Sequence, residues 1–367
     1  MPAVEFLPAG ASEHPDPDRI EACPLPREML SFFGHEEIEA AFLDGYRAGR
    51  LHHAFLLTGP EGVGKATFAF RAARFLLSED QAGQSADALF APAPPDTLQI
   101  PRQARAALLI ANEAHPDLAV LRRRYDAKTK RMRMEISVED TRNALSLLTK
   151  TAAFGGWRVV IVDTADDLNT ASANAILKKL EEPPEKAVFF LISNQPGRLL
   201  PTIRSRCQVL AFKPLPTATL VEIISGVGRP ASDPAALEKL SEGSVRRALR
   251  LGEGSAGQLA LALDHVFAGL PSLDARALAM VSDSLRAGQE GVQALADLLD
   301  RLERFLAEGT RRLVSEGAPL SQVVGFAEFW SRQQEQAQKV EALNLDRKAF
   351  AAVLFDELAT LVSGAKR

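Results

Sequence analysis

Along the first 213 positions, short apolar runs alternate with longer stretches in which apolar residues recur at helical spacing. The runs Ala54 to Leu57, Leu118 to Leu121, Arg158 to Val162, Val188 to Ser193 and Gln208 to Phe212 read as buried strands, and Val138 to Thr151 and Ala171 to Leu180 as helices. Alternation of this kind predicts a parallel sheet flanked by helices. The Ser/Ala/Gln/Pro-rich stretch from Ser78 to Arg102, with Ala91-Pro92-Ala93-Pro94-Pro95 inside it, reads as a surface insertion. Lys213-Pro214-Leu215-Pro216 breaks the pattern, and no strand signal returns after it. Short helices are expected to about Gly254 and longer amphipathic ones beyond. There Leu295, Leu298, Leu299, Leu302, Phe305 and Leu306 form one stripe, read as core, with the outer helix faces open to oligomer contacts. The expected fold class is therefore α/β plus all-α, in three domains: 1–213, 214–254 and 255–367. No internal repeat is evident.

Composition narrows the class without naming a chemistry. The 367 residues, 46% hydrophobic and 25% charged, suffice for two or three domains with a substantial core. Cys23 and Cys207 can form neither a disulfide framework nor a four-thiolate zinc site. The first thirty residues carry acids and prolines rather than a basic start and an apolar run, and no stretch approaches ~18 uninterrupted apolar residues, so a cytoplasmic location without a membrane span is expected. A net charge of −4 argues against autonomous binding of nucleic acid by the whole chain. One local exception is the segment Arg122 to Arg133, with Arg122, Arg123, Arg124, Lys128, Lys130, Arg131 and Arg133 against Asp126 alone. It reads as a basic hairpin, either a solvated tip or a contact for phosphates or an acidic partner. Adjacent His52 and His53 are expected to face opposite sides, and neither His35 nor His115 has a cysteine or carboxylate at ligand spacing, so no metal is expected. Cys207 reads as a packed small hydrophobe.

The chemistry lies in two segments. Gly59-Pro60-Glu61-Gly62-Val63-Gly64-Lys65-Ala66-Thr67 follows the apolar run at Ala54 and precedes a helical stretch, the strand, loop, helix context of a phosphate-binding loop. Its glycines let backbone N–H groups turn inward on phosphate oxygens, the helix N-terminus adds its dipole, and Lys65 offers a positive charge. The position after the lysine, where a hydroxyl would ligate magnesium, is Ala66, and Thr67 points elsewhere. In the second segment, Val159-Val160-Ile161-Val162-Asp163-Thr164, Asp163 could orient the metal, but Thr164 stands where a glutamate would activate water. Losing a positioned base typically costs on the order of 10²–10⁴ in rate. Negligible hydrolysis by this chain's own site is the expectation.

Further residues make a resemblance specific. Asp163-Thr164-Ala165-Asp166-Asp167-Leu168-Asn169 and Ala173-Asn174-Ala175-Ile176-Leu177-Lys178-Lys179-Leu180-Glu181-Glu182-Pro183-Pro184, with Leu199 to Gln208 and Gly49-Arg50-Leu51-His52-His53-Ala54, resemble the bacterial clamp-loader family of AAA+ proteins. The resemblance implies a P-loop AAA+ domain, a small helical lid and a helical collar. It assigns nucleotide contacts to Gly59, Gly62, Gly64, Lys65, Thr67, Asp163, Asn194 as first sensor and Arg246 as second sensor in Gly243-Ser244-Val245-Arg246. It also assigns the Ser205-Arg206-Cys207 motif, with Arg206 presented in trans to nucleotide on a neighbour. For Arg246, holding the lid closed and contacting a ligand both remain open, as do weak ATP or ADP binding and an empty loop. The damaged loop, absent glutamate and intact Ser-Arg-Cys are similar to the non-hydrolysing delta-prime branch, with the tau/gamma motor as the alternative. That resemblance implies a hetero-pentamer with tau/gamma and delta, acting on a sliding clamp and primer-template DNA within the DNA polymerase III holoenzyme, with no catalysis of its own. The four-cysteine zinc module common in the family is missing between Ser78 and Asp117, so no zinc is expected.

Overall fold

The computed structural model describes residues 4–7, 19–20, 23–82, 95–126, 131–154, 156–229, 234–251 and 254–365. The chain divides into two compact units, Met1–Leu249 and Arg250–Arg367.

Among the described residues of the first unit, seven strands form in chain order: β1 (Ala54–Thr58), β2 (Leu118–Leu121), β3 (Tyr125–Asp126), β4 (Arg131–Met132), β5 (Arg158–Val162), β6 (Ala187–Ser193) and β7 (Gln208–Ala211). Five make a sheet in the order β2-β5-β6-β1-β7, each neighbour parallel to the next, and β3 with β4 make a separate antiparallel hairpin. The central strands are apolar throughout because both faces of the sheet are covered. Side chains alternate between those faces with the period of two that a strand imposes. Phe55, Leu57, Val159, Ile161, Phe190 and Ile192 meet Phe42, Phe68, Ala72 and Leu76 of helices Glu36–Arg47 and Lys65–Ala82. On the other face Ala54, Leu56, Val160, Val162, Phe189 and Leu191 meet Leu145, Ile176 and Leu180 of helices Val138–Leu145 and Thr170–Glu181.

Local chemistry sets the helix ends. Ser137 caps one helix by accepting from the Asp140 amide at 3.1 Å, and Asn169 caps another by accepting from the Ser172 amide at 2.9 Å. The helix expected to reach Thr151 stops at Leu145 and tightens into a 3₁₀ turn, Ser146–Thr149. Within the stretch expected to be a loose insertion, the first residues to Ala82 continue the helix that follows the glycine loop, and 83–94 lie outside the described residues. Beyond them the chain is docked. Arg47 donates to the Pro95 carbonyl at 2.8 Å, and Glu39 accepts from the amide of buried Leu98 at 2.9 Å. Two buried arginines on the helix Lys65–Ala82 tie down the segment before the first helix: Arg71 donates to the Leu30 carbonyl at 2.7 Å and Arg74 to the Arg27 carbonyl at 3.0 Å.

Short helices Thr217–Gly226 and Pro234–Ser241 and the start of helix Val245–Leu251 close the first unit. The second unit consists of helices Gly254–Gly269, Ala275–Ser284, Gln289–Ser315, Leu320–Ala342 and Arg347–Ala365. The leucine stripe is its core: Leu295, Leu298, Leu302 and Leu306 are buried, with Leu299 and Phe305 packed against them. Among the described residues no helix is long and apolar enough to cross a membrane.

Candidate functional site

In a parallel sheet every strand ends at the same edge, and the crevice beyond those C-terminal ends is where ligands bind. The glycine loop follows β1, Asp163 follows β5, and Asn194 follows β6, which lies between the two. They line a cavity of about 200 Å³ together with Gly62, Gly64, Lys65, Thr67, Thr164 and Arg246, closed on its apolar side by Phe32, Phe33, Leu215 and Leu249. Gly59 is not among the lining residues; its left-handed backbone, φ +135°, lets β7 come close, and a Cβ there would lie 2.3 Å from the Phe212 carbonyl oxygen. A second space of about 260 Å³ adjoins it, sharing Glu61, Asp163, Thr164, Asn194 and Arg246 as walls.

The turn Ser244-Val245-Arg246 closes over the loop. The Val245 amide donates to the Gly62 carbonyl at 2.8 Å, Arg246 Nε pairs with Glu61 Oε1 at 3.2 Å, and a Cβ on Gly62 would meet Ser244 Oγ at 2.4 Å. Lys65 turns back on its own loop: Nζ donates to the Gly59 carbonyl at 2.7 Å and also to that of Pro60. Burial draws the Lys65 pKa down to about 8, against the opposing pull of Glu61, Asp163 and Asp166. Lys65 and Arg246 are therefore both engaged by the chain itself.

Three further residues shape the site and were not singled out by the sequence. Asp166 accepts from Ser193 Oγ and the Asn194 amide, both at 2.6 Å, and so fixes the end of β6. His35, whose pKa is lowered chiefly by burial, bonds through Nε2 to the Val63 carbonyl at 2.9 Å and sets its ring edge-on to Phe212, bracing the loop from behind. Asp167 accepts from Thr164 Oγ1 at 3.1 Å, so the threonine in the base position is a turn-former; burial raises the Asp167 pKa despite the Arg123 guanidinium at 3.1 Å. No periodicity marks these contacts: those of Asp166 and His35 join separate elements, and that of Asp167 closes a single turn. The Ala66 side chain brings no oxygen to the cavity, and Asp163 and Asn194 both line it.

Ser205, Arg206 and Cys207 lie elsewhere. Gln208 pairs with Phe55, so Arg206 sits beyond the N-terminal edge of the sheet, while the loop lies past the C-terminal edge. The length of β1 alone, five residues at ~3.3 Å each or ~16 Å, separates the two. Arg206 is half-exposed; Nη2 pairs with Glu181 Oε1 at 3.0 Å and Nη1 donates to the Thr202 carbonyl at 3.0 Å. Cys207 is partly buried against the core, which pushes its thiol up to about 12 and leaves it protonated at neutral pH. Nearby, His52 and His53 do not face opposite sides: their rings stack, with centroids 4.6 Å apart at 22°. They precede the strand rather than belong to it, and each turns to a backbone carbonyl, His52 Nδ1 to Ala54 at 2.8 Å and His53 Nε2 to Leu180 at 3.1 Å.

The basic segment does form a hairpin, with Tyr125 opposite Met132 and Asp126 opposite Arg131. Several of its arginines are paired internally: Arg122 with Glu113, Arg123 with Asp167, and Arg124 and Arg133 with the two oxygens of Asp140 at 3.2 and 3.3 Å. Lys128 and Lys130 lie outside the described residues. Among the described residues no cluster of His, Cys, Asp and Glu could hold a metal ion.

Against known proteins, residues 34–216 match the sequence profile of the family described as DNA polymerase III, delta subunit. Over 218 residues the chain is 37% identical to the DNA polymerase III subunit delta' of Pseudomonas aeruginosa, covering 58% of this chain and 60% of that one. This chain belongs to the clamp-loader subunits of DNA polymerase III. The Escherichia coli delta' subunit is 33% identical over 211 residues, 57% of each chain, and the E. coli tau subunit 32% identical over 279 residues, 74% of this chain and 40% of that one. The delta-prime branch is thus favoured over tau/gamma. The matches span about three fifths of the delta-prime relatives' length.

Proposed function

We propose that this clamp-loader subunit is the non-hydrolysing stator of its complex, the delta-prime role, and that Arg206 serves a nucleotide held by a neighbouring tau/gamma motor subunit. The observation that carries the reading is the polarity of the sheet: Arg206 lies beyond one edge and this chain's own phosphate loop beyond the other. A guanidinium so placed has no route to its own cavity but is available to another subunit. Supplied in trans, it would neutralise charge developing on a γ-phosphate, an effect worth on the order of 10³–10⁵ in rate in other phosphoryl-transfer systems.

The chain's own loop supports the same reading from the opposite direction. It offers Ala66 where magnesium needs a hydroxyl and Thr164, bonded to Asp167, where water needs a base. Gly59, Gly62, Gly64, Lys65, Thr67, Asp163, Asn194 and Arg246 then serve as scaffold, with at most weak ATP or ADP binding, and Arg246 holds the lid closed through Glu61. In this reading the lid spans 214–254, and the collar, 255–367, joins a hetero-pentamer with tau/gamma and delta that loads a sliding clamp on primer-template DNA in the cytoplasm. A motor role would need the missing hydroxyl and glutamate.

The test is ATP hydrolysis by the purified chain, then by a loader reconstituted with motor and delta subunits, clamp and primed DNA, comparing wild type with Arg206→Ala. Silence of the isolated chain is expected, with DNA-stimulated turnover of the assembled complex lowered by Arg206→Ala while assembly stays intact. Robust turnover by the isolated chain, or unchanged turnover in an assembled complex carrying the variant, overturns the reading.

A further inference from the structure

We propose that Glu181 is a positioning residue that parks the Arg206 guanidinium against this chain until a neighbour's phosphate displaces it; the proposal rests on the in-trans reading above. Glu181 is the last residue of the helix Thr170–Glu181, which starts near the cavity edge of the sheet and runs back to the opposite edge. There its Oε1 lies 3.0 Å from Arg206 Nη2. The other terminal nitrogen, Nη1, folds over its own turn to the Thr202 carbonyl at 3.0 Å and Ser205 Oγ at 3.4 Å. The side chain is thus curled back rather than extended, with its charge met by a carboxylate of the same chain.

A guanidinium recognises a phosphate with a pair of N–H donors in its rigid fork. Here both terminal nitrogens are already committed, so engagement of a phosphate requires exchange with Glu181. Arg206 and Glu181 side chains are 36% and 44% exposed, which keeps the pair in the weak class. Exposed pairs of this kind shift an equilibrium by a factor of about 1.5–5, small enough for a multiply charged phosphate to overcome and large enough to hold the finger back without one. The pairing joins a helix end to a turn, so it adds little to the fold, and its removal changes how often the finger is available rather than where it is anchored.

The experiment compares Glu181→Gln, Arg206→Ala and the double variant in the reconstituted loader, with and without primed DNA, measuring kcat and KM for ATP. Glu181→Gln is expected to raise DNA-independent kcat about 1.5- to fivefold, to leave KM and the melting temperature unchanged, and to have no effect in the Arg206→Ala background. A merely structural role would persist in that background. A fall in turnover, or no change while Arg206→Ala still lowers it, overturns the parking role. If Arg206→Ala also leaves turnover unchanged, the in-trans reading fails and the proposal fails with it.

Discussion

Replacing Lys65 by methionine is expected to make the folded chain more stable at neutral pH, although it removes the cation of the phosphate loop. Lys65 is 4% exposed, and burial lowers its pKa from 10.5 to about 8. At ~1.36 kcal/mol per pH unit, keeping the ammonium charged in that place costs the folded state about 3 kcal/mol at pH 7. Methionine fills the same channel with an unbranched apolar chain but leaves the Gly59 and Pro60 carbonyls without their donor, a loss of about 1 kcal/mol each. The net gain is about 1 kcal/mol, a rise of roughly 2–4 °C in melting temperature for a unit of this size. Between pH 8 and 10.5 the folded chain binds fewer protons than the unfolded one, so wild-type stability rises with pH across that window, and the cost is full below it. Thermal melts of both proteins at pH 7 and 9.5 provide the assay. The difference should move by about 2 kcal/mol in favour of wild type at the higher pH, reversing the order. A methionine variant less stable at pH 7, or an offset independent of pH, would refute the argument.

Two other substitutions test the packing around the site and in the helical unit. Gly62→Ala combines a left-handed backbone, φ +76°, with a Cβ 2.4 Å from Ser244 Oγ, and should cost about 2–4 kcal/mol; hydrogen exchange at the Val245 amide should rise with it, and unchanged protection would mean that the lid does not rest on the loop. Leu302→Ala, fully buried in the leucine stripe, should cost about 2–5 kcal/mol in denaturant unfolding, and a cost below ~1 kcal/mol would show that the stripe is not core.

The strands were legible because both faces of the sheet are buried, so each strand is an apolar run with no solvent face to interrupt it. The loop was legible for a different reason: the positive φ at Gly62 and Gly64, +76° and +102°, strongly favours glycine and so leaves a mark in the sequence. Where the reading fell short, the deciding partner lies far along the chain. Asp166 matters through Ser193, His35 through Val63 and Glu181 through Arg206, and none of these separations repeats with any period. The histidine pair was misread because strand alternation was extended two residues before β1 begins. From Arg122 to Arg133 the charges suggested a solvated tip or a contact for phosphates or an acidic partner, whereas Glu113, Asp140 and Asp167 of the same chain answer several of the arginines.

Because all five strands of the sheet run the same way, its two edges differ in kind: one ends in a cavity and the other in an arginine. A contact that joins the arginine edge of one such module to the cavity edge of the next is heterologous, with a different surface on each partner, and cannot be satisfied by a two-fold dimer. Assembly through it has a direction, like links hooked head to tail. Under the proposed in-trans role, a module that keeps its arginine but lacks the metal hydroxyl and the base of its own loop fits at one terminus of such a row, where it has a neighbour to serve and none to depend on.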